Sequence, residues 1–144
     1  MAWLGRGARV PVVEAVPGTR LEPGAAYVAL RGGHVTVSSR GWIEASDEPP
    51  RDGNCPSIDV LFESAADVYG KGLLGIILTG WNQDGADGLQ AVHRAGGLTI
   101  VQNPDTAEAP VMPQAALART AVDYILNLEE IAALLAALPA GKRT

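Results

Sequence analysis

The sequence predicts an α/β fold: a three-layer, doubly wound, mostly parallel sheet with an antiparallel hairpin region near the N-terminus. Three observations predict it. From Ser57 onward the apolar segments alternate as helix, strand, helix, strand, helix, strand, helix, the order that builds a parallel sheet with helices on both faces. Leu73, Leu74, Ile76, Ile77 and Leu78 form a nearly continuous apolar run, as a strand buried on both faces requires. Upstream, Pro17-Gly18, Pro23-Gly24 and Gly32-Gly33 break the chain into short β-rich pieces.

The elements follow in order. Residues 1–9 are Gly- and Arg-rich and carry Trp3 and Leu4, as a frayed tail or the stub of a preceding helix would. Val10 to Val16 reads as a strand, Ala26 to Leu30 as a second and His34 to Val37 as a third. A short fourth strand holds Trp42 and Ile43, and the four read as antiparallel hairpins. Glu44 to Pro56, with Pro49, Pro50, Gly53 and Pro56, reads as an exposed loop. Ser57 is a helix N-cap, followed at helical spacing by Ile58, Leu61, Phe62, Ala65 and Tyr69. Gly70 and Gly72 end that helix before the apolar strand.

Thr79 and Gly80 stop the strand, and Asp84 stands where the next helix begins, with Leu89 and Val92 on its inner face. Gly96-Gly97 closes that helix, Leu98 to Gln102 is a strand, and Asn103-Pro104-Asp105 turns the chain. Met112-Pro113 opens a helix carrying Ala115, Ala116 and Leu117, and Val122 to Leu126 is the last strand. Asn127 and Glu130 have the spacing of a capping box. Ile131, Leu134, Leu135 and Leu138 form the buried stripe of the final helix, which Pro139 and Gly141 stop, leaving Lys142-Arg143-Thr144 as a disordered tail.

A chain of 144 residues is sized for one domain. At 47% apolar but 5% aromatic content, aliphatic side chains and alanine must supply the core. A net charge of -5 argues against nucleic acid as a partner, because phosphate binding needs a positive field. No run reaches the roughly 18 apolar residues of a membrane span, and the N-terminus has no secretory-signal core. Cys55 is the single cysteine, so no intrachain disulfide forms. A cytoplasmic protein is expected.

Asp84 is the leading candidate for chemistry, because open α/β sheets keep their sites at the carboxyl ends of their strands. Two readings stand side by side. It is the carboxylate that orients a catalytic histidine, or it is an N-cap holding a helix start; spacing alone favours the cap about two to one. A phosphate loop fits worse. Gly80 and Gly85 have the glycine spacing, but Ala86 and Asp87 stand where lysine and a hydroxyl belong. His34 and His93 lack metal-ligand spacing, so no metal and no cofactor is expected. His34 has the position to line a cleft, yet a structural role is favoured for both histidines. None of the serines has the Gly-x-Ser-x-Gly frame of a nucleophile elbow, and Cys55 lacks a neighbouring base.

Taken together, residues from about 10 to 135 resemble the C-terminal catalytic domain of the chemotaxis receptor protein-glutamate methylesterases, the CheB type. The resemblance rests on Val10 to Ala15 with Leu21-Glu22-Pro23-Gly24 and Ala26-Tyr27-Val28-Ala29, and on His34. It continues through Pro56-Ser57-Ile58-Asp59-Val60-Leu61-Phe62, Ile77-Leu78-Thr79-Gly80, Asp84-Gly85-Ala86, Gly88, Ala95-Gly96-Gly97, Thr99-Ile100-Val101-Gln102 and Met112-Pro113. It implies hydrolysis of glutamate methyl esters, and deamidation of glutamine, on the cytoplasmic helices of methyl-accepting chemotaxis receptors. Carried over, Asp84 is the aspartate of a Ser-His-Asp triad. Thr79, Gly80, Trp81, Asn82 and Met112 form the cleft and oxyanion neighbourhood.

The departures carry expectations of their own. The family's nucleophile and histidine lie upstream of the matching part, and no receiver domain is expected within these residues. The chain alone is therefore expected to be inactive, and a separate chain carrying the Ser and His segments is an expected partner. A non-catalytic receptor-binding module or remnant, or one half of a split esterase, is the alternative. Trp81 stands where methionine is usual, so a bulky ring is expected to narrow or cover the cleft.

Overall fold

The computed structural model describes residues 10–29 and 32–138. Trp3, Leu4, Leu30, Pro139, Gly141 and the tail from Lys142 lie outside the described residues. The site is positioned by a three-stranded parallel sheet, β5 (Leu74–Ile77), β6 (Leu98–Gln102) and β7 (Tyr124–Leu126), in that order. Leu74 pairs with Leu98, and Ile100 with Tyr124. Four helices accompany it: α1 (Ile58–Tyr69), α2 (Ala86–Arg94), α3 (Val111–Arg119) and α4 (Leu128–Ala137).

Successive strand residues point to opposite faces, so the apolar runs feed two cores. Ile76 and Ile100 pack with Ile131, Ala132 and Leu135 of α4. Their neighbours Ile77 and Val101 pack with Leu89 of α2 and Ala116 of α3, against Ile58 and Phe62 of α1. The helices therefore cover both faces, as the alternation predicted. Gly75 lets α2 close on the sheet: a Cβ there would lie 3.1 Å from a Leu89 methyl. Thr99 and Asp123 fix the register of β6 and β7. The Thr99 backbone N–H donates to Asp123 Oδ2 at 2.9 Å, and the Asp123 N–H returns to Thr99 Oγ1 at 3.0 Å.

The N-terminal region differs from the expected set of hairpins. β3 (His34–Val37) and β4 (Ile43–Ser46) do form an antiparallel hairpin. β1 (Val12–Glu14) and β2 (Ala26–Val28) instead pair in parallel, Val12 opposite Ala26. The Pro17-Gly18 turn sends the chain sideways rather than back. Gly18 N–H donates to Ile43 O and Leu21 N–H to Gly41 O, both at 2.8 Å. The segment between the strands thus becomes a crossover, which parallel pairing requires. Glu44, Ala45 and Ser46 belong to β4, not to the following loop. Ala15, Val35 and Ile43 form a small core here, closed by Leu61 of α1. In α4 the inner stripe is Ile131, Ala132 and Leu135, while Leu138 is exposed.

Candidate active site

The loop after β5 is tied down on both sides. Gln102, buried at the end of β6, accepts the Thr79 N–H at 2.9 Å through Oε1 and donates to Thr106 O at 3.2 Å through Nε2. Thr79 Oγ1 accepts the Ala109 N–H at 2.8 Å. Gly80 N–H donates to Ala109 O at 2.9 Å, and Met112 N–H donates to Gly80 O at 3.1 Å. Met112 lies so close that a Cβ on Gly80 would meet its methyl at 2.6 Å. A side chain on Gly80 would require Met112 to move. Thr79, Gly80 and Met112 are thus joined to one another and to Ala109 by these bonds.

Trp81 and Asn82 follow. Trp81 is 78% exposed and stands in solvent. Asn82 accepts the Asp84 N–H at 2.9 Å, a side-chain turn of the Asx type. Its Nδ2 donates to Asn54 Oδ1 at 3.0 Å, joining this loop to the segment before α1.

Asp84 is buried, at 6% exposure, but it does not cap the helix it precedes. Gly85, at φ 100°, is the N-cap residue of α2. The Asp84 carboxylate turns instead to the start of α1. Oδ2 accepts the Ile58 N–H at 2.7 Å, and Oδ1 accepts the Ser57 hydroxyl at 2.7 Å and the Asp59 N–H at 3.2 Å. The positive end of α1 thus faces a carboxylate from another loop. Asp84 is thus a helix cap, but of α1 and not of the α2 it precedes. A carboxylate offers about four lone-pair sites, and the bonds made with the described residues use three of them, leaving one on Oδ2.

The start of α2 is satisfied in return by Asp59. Its Oδ1 accepts the N–H groups of Gly85 at 3.0 Å and Gly88 at 2.7 Å. The two helices exchange caps. Asp59, at 4% exposure, was not singled out from the sequence, because its partners lie more than twenty residues away. Burial pushes its carboxyl up to about 6, against the pull of the Gly88 and Gly85 amides; the nearby charges of Asp84 and Asp87 push the same way. The one legible signal was Asp59 in the first turn of a helix, where acids are favoured.

Ser57, His34 and Asp84 are joined, but not as a nucleophilic triad. Such a triad needs the imidazole to accept the serine hydroxyl proton. Here His34 Nδ1 accepts the Ser57 backbone N–H at 3.1 Å, so the ring proton sits on Nε2 and is donated to Pro49 O at 2.9 Å. The Ser57 hydroxyl goes to Asp84. Both Ser57 and His34 are 1% exposed. This network holds the strand β3, the loop and α1 together, the structural role expected of His34. His93 is an exposed residue of α2. No serine hydroxyl among the described residues bonds to an imidazole. No group of acidic, His and Cys side chains among them could hold a metal ion. No described helix is long and apolar enough to cross a membrane.

A doubly wound α/β domain with a buried, capped carboxylate at the carboxyl end of a parallel strand is the class this fold and site define. The family model described as CheB methylesterase matches residues 1–135. The chain belongs to the CheB methylesterase family. It is 40% identical over 136 residues to protein-glutamate methylesterase/protein-glutamine glutaminase 1 of Syntrophus aciditrophicus, covering 94% of this chain and 39% of that protein. It is 42% identical over 125 residues to a putative protein of the same description from Leptospira interrogans, covering 87% of this chain and 65% of that one. The crystal structure of the Thermotoga maritima CheB methylesterase catalytic domain matches with a TM-score of 0.78 and 25% identity, over 85% of this chain and 67% of that one. The chain thus spans about two-fifths to two-thirds of the length of these relatives.

Proposed function

We propose that this chain is the aspartate-bearing part of a chemotaxis protein-glutamate methylesterase, acting in the cytoplasm on the helices of methyl-accepting receptors. Its products would be the receptor glutamate and methanol; glutamine deamidation would use the same centre. The observation that carries this reading is Asp84. It is buried, at the carboxyl end of β5, held by three donors, with one lone pair left on Oδ2 for a histidine N–H. A triad aspartate needs just such an arrangement: fixed by its surroundings, with one acceptor direction free. Thr79, Gly80, Trp81, Asn82 and Met112 would form the rim that receives the ester carbonyl.

The nucleophile and base would come from a segment outside these 144 residues. The bonding of Ser57 and His34 supports this, since neither is arranged or exposed for that work. The test is methanol release from methylated receptor. The chain alone is expected to release none. With a segment carrying the Ser and His motifs, release is expected, and Asp84→Ala should cut it by a factor on the order of 10⁴. Unchanged release in that variant would remove Asp84 from the reaction. Release by the chain alone would remove the need for a second segment.

A further inference from the structure

The esterase reading uses Asp84 and leaves Asp59 without a part. Asp59 is nevertheless the more unusual group. It is buried beside a second carboxylate, and that placement is costly: its carboxyl is pushed up to about 6 by burial first and by Asp84 and Asp87 after it. A helix start is capped as well by asparagine or serine, which carry no charge. Capping alone does not call for a second buried acid.

The bonds form a closed ring. The Asp59 backbone N–H donates to Asp84 Oδ1 at 3.2 Å. The Asp59 Oδ1 accepts the N–H of Gly85, the residue directly after Asp84, at 3.0 Å. Its second partner, the Gly88 N–H at 2.7 Å, lies one turn further along α2. The ring is small because the helices touch: a Cβ on Gly88 would lie 3.0 Å from Asp59 Cα and 2.8 Å from Phe62 Cβ. Gly85 lies close against the core: a Cβ built there would meet the Ile77 methyl at 2.6 Å. The backbone from which Asp84 projects is therefore set from one side by the core and from the other by Asp59.

We propose that Asp59 is a positioning residue for Asp84: by holding the Gly85 and Gly88 N–H groups it fixes the Asp84 backbone and aims the free lone pair of Asp84 Oδ2. This rests on the reading of Asp84 as the triad carboxylate. Asp59 touches no substrate; it acts through Asp84. A conservative replacement that keeps an acceptor oxygen, Asp59→Asn, should preserve the aim. Asp59→Ala should lose it.

The test has two arms. In the chain itself, amide hydrogen exchange is followed at Ile58 and Asp59, whose acceptor is Asp84, against Val101 in the core as a measure of global opening. Asp59→Ala is expected to speed Ile58 exchange about tenfold relative to Val101, and Asp59→Asn to restore it. An unchanged Ile58-to-Val101 ratio in Asp59→Ala overturns the proposal. If Asp59→Ala does not fold, Asp59→Glu, which keeps the charge but moves the acceptor oxygens away from the Gly85 and Gly88 N–H groups, serves instead. It should speed Ile58 exchange relative to Val101, and an unchanged ratio there overturns the proposal equally. In the second arm, the chain assembled with its Ser- and His-bearing segment is assayed for methanol release. Asp59→Ala is expected to lower kcat about 10- to 100-fold with KM unchanged, as misaimed groups do, while Asp59→Asn retains most of kcat. A rise in KM alone overturns it. If the wild-type assembly releases no methanol, the esterase reading falls, and the exchange ratio by itself decides whether Asp59 holds Asp84.

Discussion

Two helix starts in this molecule solve the same problem in opposite ways. At α4, Asn127 Oδ1 accepts the Glu130 N–H at 2.8 Å and Glu130 Oε1 accepts the Asn127 N–H at 2.9 Å. The box is local, polar and exposed. At α1 and α2 the caps are exchanged across the fold, Asp84 to the one and Asp59 to the other, and both carboxylates are buried. The local box orders one helix. The exchanged caps join two helices to each other and to the strand between them. A side chain that satisfies a neighbouring helix is held by that helix as well, which is what a catalytic carboxylate needs. The cap geometry and the candidate site are one feature at α1 and α2, and separate features at α4.

The largest effect expected from this contrast is on stability. Asp84→Ala leaves the Ser57 hydroxyl and the Ile58 and Asp59 N–H groups without their acceptor. It should cost about 3–5 kcal/mol in urea unfolding, given the penalty for buried donors left unmet. A loss below about 1 kcal/mol would place this cap in the same class as the local one.

The next effect is a pH dependence. The Asp59 carboxyl rises from 3.8 to about 6 on folding. The folded state therefore binds the proton more tightly than the unfolded chain between those values. The stability contributed is fully present below about pH 4, is lost as pH rises to about 6, and is flat above that. Its size is about 3 kcal/mol at most. Asp59→Asn should remove this slope, matching the wild type near pH 4 and equalling or exceeding its stability at pH 7. Parallel slopes for the two proteins would move the titration to another group. The exposed box at α4 contains no such buried acid.

Asn127→Ala should cost about 1 kcal/mol, the usual worth of a local N-cap. Its exchange signature should stay at Glu130 and leave Ile58 and Gly88 untouched; spread into α1 or α2 would show that the two kinds of cap are coupled. Smallest of all is Trp81→Ala. The ring stands in solvent at 78% exposure, so unfolding should shift by no more than about 0.5 kcal/mol. Any effect of this variant on methanol release would then report the part of the rim in the reaction and not a change of fold.

Much of the fold was legible. The run Leu73 to Leu78 and the spacing of Ile58, Phe62, Leu89 and Val92 announced their elements because side-chain period follows backbone geometry. Asn127 and Glu130 were legible for a related reason: both partners lie within one helical turn. The parallel pairing of β1 and β2 was not, since Pro17-Gly18 signals a turn and carries no record of its direction. Leu138 matched the α4 stripe, but the helix ends at Ala137 and leaves it outside the core. Asp84 was legible as an acid at a helix start. Which helix it serves was not, and Asp59 was missed because its one local mark, a place in the first turn of α1, does not say which N–H groups it serves.

By itself, then, the sequence determined the alternation of helices and strands, the two-faced burial of the sheet, and the presence of a carboxylate after β5. Each of these is a short-range property, set by side-chain periodicity and by the turn residues Gly80 and Gly85. Only the tertiary structure decided that Asp84 faces α1, that Asp59 answers it, and that Ser57 and His34 bond outside the order of a triad. Those facts depend on segments 23 to 29 residues apart meeting in three dimensions. Burial then makes each of these polar groups find a partner, wherever in the chain that partner lies.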